Sequence, residues 1–230
     1  MYKIIAVLML MVFLTGCAVE PQAVQLPASF WQQHNIPVKV ATTPPPKARL
    51  YQQGSEGILD IAINAAVTNK FNRYLKSYRS NGLIVTAQKF INRLQQHGIN
   101  AVYVGQAKIT NKQLNKKDFR FLLQQFGPVR LLLLSINQIG ASRYYYGFIP
   151  LGKPSAISYV EGRLVDLASQ HVLWRDIEKS SIVASANWDQ PPNYPSFTRL
   201  LRNVSFTSER QLLIQFFSSQ PKIVEDNGDN

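Results

Sequence analysis

Val129-Arg-Leu-Leu-Leu-Leu-Ser-Ile136 decides the fold. It is a continuous apolar run that follows the breaker Gly127-Pro128. A run this short, apolar at consecutive positions, reads as a central strand buried on both faces. The chain continues into Ile139-Gly-Ala-Ser-Arg-Tyr-Tyr-Tyr-Gly-Phe148, which is extended and aromatic. A Gly/Pro loop is expected at Pro150–Pro154, followed by a long strand over Ala156–Leu167. Ala168-Ser169-Gln170 makes a turn and His171–Ala184 forms the next strand. Three strands joined by short connections form an antiparallel meander. Residues 196–217 then have helical spacing, with a break expected near Ser205–Ser208.

Toward the amino terminus the period changes. Phe119, Leu122, Leu123 and Phe126 share one face of a helix over 117–126. Ile99–Val104 is a strand candidate, and Phe90, Ile91 and Leu94 mark a helix over 85–97 that stops at Gly98. A longer helix starts after Ser55, an expected N-cap, and ends at Asn81-Gly82, with Leu59, Ile63, Val67, Phe71 and Leu75 at helical spacing. Residues 37–41 alternate as a short strand, Pro44-Pro45-Pro46 interrupts, and Ala48–Tyr51 is extended again. This order predicts an α+β fold: a mixed sheet with a three-strand antiparallel meander in its second half and helices packed on it. One domain is expected over 37–218, with a disordered acidic tail over 219–230.

The segment Tyr159-Val-Glu-Gly-Arg-Leu-Val-Asp-Leu-Ala-Ser-Gln-His-Val-Leu-Trp174 carries a recognisable pattern. A strand ends in Leu164-Val165-Asp166, a polar turn follows, and Val172-Leu173-Trp174 opens the next strand. It resembles the central hairpin of periplasmic lipoprotein domains in the TolB amino-terminal, CsgG and LpoB group. Ala168-Ser169-Gln170 stands where that group usually has a glycine. The resemblance implies a basic helix-and-sheet domain carried on one lipidated cysteine. It implies no single function, because function lives in sites rather than folds.

The amino terminus fits that picture. Lys3 is followed by an unbroken apolar run from Ile4 to Leu14. A membrane-spanning helix needs ~20 apolar residues, so this run suits a signal-peptide core. It ends in Leu14-Thr15-Gly16-Cys17, which resembles the lipobox of bacterial lipoproteins. Residues 1–16 are therefore expected to be removed and Cys17 to carry lipid, including palmitate. Cys17 is the only cysteine, so the mature chain has no internal disulfide. Residues 17–36, with Pro21 and Pro27, are expected to be a tether, and Phe30-Trp31 its first docking point. Ala18, rather than Asp, follows the cysteine. By the same resemblance this points to the outer membrane and its periplasmic face.

Charge is unevenly spread. Residues 17–150 hold 16 Lys and Arg against 4 Asp and Glu, whereas residues 151–230 hold 8 against 9. Lys70, Arg73, Lys76, Arg79, Lys116, Lys117 and Arg120 are the candidate surface for anionic material. In an exported chain that material is anionic lipid or peptidoglycan, and no nucleic-acid partner is expected.

Little in the sequence points to catalysis. His34, His97 and His171 have no neighbours at metal-ligand spacing, and GxSxG, Walker A and GxGxxG motifs are absent. No metal, no cofactor and no catalytic residue is expected, and the chain is read as a non-enzyme. Glu161, Asp166, Asp176 and Glu178, near Arg163, Arg175 and Lys179, are expected to form cross-strand ion pairs on a hairpin surface. Arg143, Tyr144, Tyr145, Tyr146 and Phe148 are the candidate partner-binding residues, because Tyr and Arg are favoured at interface hot spots. In a strand Tyr144 and Tyr146 face one way and Tyr145 the other. The expected role is a binding or assembly component of a cell-envelope complex, held to the membrane by Cys17, with an envelope protein as partner. A subunit of a CsgG-like outer-membrane export channel is the second reading, and a cell-wall hydrolase the third.

Overall fold

The computed structural model describes residues 22–55, 58–109, 113–114, 119–185 and 194–220. The signal-like segment, Cys17, Lys116, Lys117 and the acidic tail after Gln220 lie outside the described residues. One mixed sheet holds six strands: β1 (Val38–Thr42), β2 (Arg49–Ser55), β3 (Ala101–Gln106), β4 (Arg130–Tyr146), β5 (Ile149–Asp166) and β6 (His171–Val183). Around it lie α1 (Ile58–Ser77), α2 (Gly82–Gln96), α3 (Arg120–Phe126) and α4 (Pro195–Ser218). The fold class is α+β, with the antiparallel meander β4-β5-β6 in the second half.

The strand order is β3-β1-β4-β5-β6. β4 is long enough to serve two parallel partners in succession on one edge. β1 pairs with Arg130–Leu134 and β2 with Gly140–Tyr146. The apolar run thus forms the base of the sheet, and the tyrosines form its far end.

Leu132, Leu134 and Ile136 face a large core built with α1, α2 and α4. Leu131 and Leu133 face the opposite way, into a smaller core closed by Phe119, Leu122 and Phe126 around α3. The run is apolar at every position from Leu131 to Leu134 because both faces are covered there. Asn137 is the extra residue of a bulge opposite β5, where the register slips between Ile136 and Gln138. A bulge shifts the alternation by one, so Ile139 and Ala141 join the large core.

Three expectations are corrected. The segment assigned to a tether is docked well before residue 37. Val24 exchanges backbone hydrogen bonds with Arg175, and Leu26, Phe30 and Trp31 are buried. Phe30 and Trp31 pack edge-on against each other and against Phe216, so apolar burial outweighs the prolines. Second, Pro150–Pro154 is not a loop: β4 and β5 pair as far as Tyr146 and Ile149. β6 ends at Val183, opposite Ser155, so beyond that point β5 is a strand edge that tolerates proline. Gly152, at φ +69°, absorbs the extra residues of a second bulge. Third, α4 runs unbroken through Ser205–Ser208. The Ser208 hydroxyl donates to the carbonyls of Val204 and Ser205 and contacts Ser158 Oγ, which accommodates it inside the helix.

Candidate functional site at the hairpin end

Regular pairing with β2 keeps β4 alternating from Gly140 to Tyr146. Tyr145 therefore points to the same face as Ile139 and Ala141, where it is buried at 4 % exposure. Tyr144 and Tyr146 point to the other face, at 60 % and 70 % exposure. Tyr145 thus leaves the set of candidate contact residues. The antiparallel register sets Leu151 opposite Tyr144 and Ile149 opposite Tyr146, and both are about half exposed. Phe148, in the turn, is exposed at 56 %. The result is an apolar surface formed by Tyr144, Tyr146, Phe148, Ile149 and Leu151 at one end of the sheet.

Arg143, partly exposed beside this surface, is tied to the backbone of β5. Its Nε and one terminal nitrogen donate to the Gly152 carbonyl at 3.1 and 2.9 Å, which fastens the bulge below the tip. Ile149 and Leu151 escaped the sequence reading because the Pro150–Pro154 stretch hid their strand. Their alternation with Pro150 was the available signal.

The same face is sealed lower down by charge. Glu161, only 2 % exposed, accepts hydrogen bonds from Arg163 Nε and, at 2.6 Å, from Arg175 Nε. Asn137, the bulge residue, donates to its other oxygen at 2.8 Å. Arg163 also donates to the Leu114 carbonyl at 2.6 Å. Burial by itself would raise the Glu161 pKa. The hydrogen bonds from both arginines, the Arg163 charge and Asn137 outweigh it and hold the carboxyl below its ordinary value. These residues are a buried cluster, not the surface ion pairs expected. The pairing partners were legible; their burial was not.

A second glutamate has the opposite environment. Glu209 on α4 is buried against the start of α2, where Thr86 Oγ1 donates to it at 2.8 Å. Burial pushes its carboxyl up, against smaller opposing effects from the Thr86 hydrogen bond and the Lys89 charge. Its carboxylate lies over Gly82, where a side chain would collide with it.

Among the described residues the basic candidates do not form one surface. Lys70, Arg73, Lys76 and Arg79 are exposed along α1 and just past its end. Arg79 also caps that end by donating to the carbonyls of Lys76 and Tyr78. Arg120 is exposed on α3, which covers the opposite face of the sheet. His34 and His97 lie near one another at the end of α2, and His171 is elsewhere. His97 caps α2 and contacts Gln220, His34 lies beside Gly98, and His171 opens β6. Among the described residues no group of His, Cys, Asp and Glu is placed to hold a metal, and no helix is long and apolar enough to cross a membrane.

No family model matches this chain, and no curated protein matches it. Solved structures that resemble it include lipoprotein GNA1162 from Neisseria meningitidis, at 14 % identity over 73 % of this chain and 96 % of that one, with a TM-score of 0.26. The PelC dodecamer from Paraburkholderia phytofirmans matches at 11 % identity over 80 % and 93 %, with a TM-score of 0.29. Protein XCC0632 from Xanthomonas campestris, a DUF330 protein, matches at 11 % identity over 86 % and 94 %, with a TM-score of 0.35. At these TM-scores the likeness assigns neither family nor activity.

Proposed function

We propose that this chain is a non-enzymatic cell-envelope lipoprotein, acylated at Cys17, held at the periplasmic face of the outer membrane, and acting as a binding component of an envelope assembly. The exposed aromatic hairpin end carries this reading. Tyr144, Tyr146, Phe148, Ile149 and Leu151 place a contiguous apolar surface in water. Contiguous apolar surface of this kind marks a contact site more often than it marks packing. The α1 row of Lys70, Arg73, Lys76 and Arg79 is the part of the basic set that remains together, and it suits anionic envelope material.

The test is direct. Cells expressing the chain are fed labelled palmitate, and the protein is isolated. Label in the wild-type chain and none in Cys17→Ser supports the anchor; equal labelling, or none in either, contradicts it. Isolation of the tagged chain from solubilised envelopes, compared with Tyr144→Ser/Tyr146→Ser, tests the contact surface. Unchanged retained components together with unchanged binding of the chain to the membrane would refute it.

A further inference from the structure

We infer that the hairpin end enters the bilayer that holds the Cys17 lipid, as a second point of attachment to that membrane. The inference rests on the proposed acylation of Cys17 and names the surface that the hairpin end meets.

The first observation is direction. Val24 pairs with Arg175 in the antiparallel sense. β6 runs from the base of the sheet at His171 toward Val183, near the hairpin end. An antiparallel neighbour therefore runs from the hairpin end toward the base, and the chain preceding Val24 leads toward the tyrosines. Gln22 and Ala23 fit this course, since they line a hollow of about 510 Å³ with Arg175, Ile177 and Lys179.

The second observation is reach. Continuing the antiparallel pairing of Val24 with Arg175 sets Gln22 at the level of Ile177, from which β6 has six residue steps to Val183, roughly 20 Å. β4 rises four further steps from Ser142, which lies at the same level, to Tyr146, roughly another 13 Å. Five residue steps separate Gln22 from Cys17, at most about 18 Å. Cys17 can thus come within about 15 Å of the level of Tyr146. One leaflet of a bilayer whose hydrocarbon core is ~30 Å thick, with its headgroup layer, holds a lipid attached at Cys17 and a tip lying deeper by that amount.

The third observation is charge and residue type. From Asn137 to Val160 there is no Asp or Glu, while Arg143 and the exposed Lys153 lie just below the tip. Glu56, which follows β2, lies outside the described residues. Tyrosines sit well at membrane interfaces because a ring and a hydroxyl suit its two sides. A lysine beside them can reach anionic headgroups. A hairpin with no acidic residue from Asn137 to Val160 and a cationic collar complements an anionic bilayer. The lipid at Cys17 holds the chain to the membrane, and a second contact fixes the orientation of the domain against it.

The test uses the full, lipid-bearing chain, with acylation verified by the mass of its amino-terminal peptide. Phe148→Cys supplies a thiol for an environment-sensitive dye, and Ile84→Cys, exposed on α2, supplies a second position. Both are reconstituted in vesicles of phosphatidylethanolamine with about one quarter phosphatidylglycerol. The expected result is a roughly threefold emission increase at position 148 as the dye leaves water, with quenching by nitroxide-bearing lipid. Position 84 should show neither, and Lys153→Glu should weaken the response at 148. A dye at 148 that reports water in the vesicles overturns the inference. Shielding that appears only when envelope proteins are added also overturns it, in favour of a protein partner. An acylated chain with a wet tip refutes this inference alone, whereas an unacylated chain refutes the anchor as well.

Discussion

The two faces of the sheet are covered in different ways. On one face, helices α1, α2 and α4 bury an apolar core that includes Leu132, Leu134, Ile139 and Ala141, and Tyr145 is buried on the same side. The other face changes along its length. It is apolar and closed by α3 at the base, ionic around Glu161 in the middle, and bare at Tyr144 and Tyr146. A single strand, β4, contributes to all of these environments. Stability is concentrated where both faces are covered, and contact with other molecules is available where one is not.

The largest expected effect comes from the middle of the second face. Glu161→Gln leaves Arg163 and Arg175 buried side by side without their shared carboxylate, and breaking a buried ion pair in this way costs about 3–5 kcal/mol. Urea unfolding measures it. A loss below about 1 kcal/mol would mean that water reaches the cluster and that this face is open lower down than described. The pH dependence gives a second reading. Because the folded Glu161 pKa is depressed, its contribution is fully present above the unfolded value, ~4.3, and is lost as pH falls through the folded value.

Glu209 should behave in the opposite sense. Its folded pKa is raised, so its contribution is present below the unfolded value and is lost as pH rises through the folded one. Glu209→Gln keeps an oxygen for Thr86 and removes a buried charge. It should stabilise the protein by about 1 kcal/mol at neutral pH, with the gain vanishing in acid. A thermal scan at two pH values checks this. Destabilisation at neutral pH would show that the ionised carboxylate supports the start of α2 and is not an electrostatic cost.

The smallest effect on stability is expected at the tip. Tyr146→Ser removes an exposed ring and should change unfolding free energy by less than about 0.5 kcal/mol. Tyr145→Ser, one residue away but on the covered face, should cost about 3 kcal/mol or more. Similar values for the two would abolish the distinction between the faces.

The base of the sheet was legible because burial on both faces leaves an unmistakable sign, apolar residues at every position from Leu131 to Leu134. The turn at Ala168-Ser169-Gln170 was legible from Asp166, whose carboxylate accepts from the backbone nitrogens of Ala168 and Ser169. Gln170 takes the left-handed conformation, φ +62°, in the turn where the resembling group usually has a glycine. The tip was only half legible. Strict alternation separated Tyr145 from Tyr144 and Tyr146, but the prolines of β5 looked like a loop, because local sequence does not show which strand edge lies open. Phe30 and Trp31 were legible as a docking point, but not their partners Phe216 and Phe217, nearly two hundred residues away, nor the earlier pairing of Val24 with Arg175. The burial of Glu161 likewise depends on a bulge at Asn137 and on Leu114, neither of which is its neighbour in sequence.

Reactivity of a thiol at position 146 in opened envelopes, compared with detergent solution, tests the account most directly. In Tyr146→Cys a membrane-impermeant maleimide should label the detergent-solubilised chain readily and the chain in opened envelopes at least about tenfold more slowly. Equal labelling in both would show that the hairpin end stands in water in its native setting, and would contradict the assignment of this end as the contact surface.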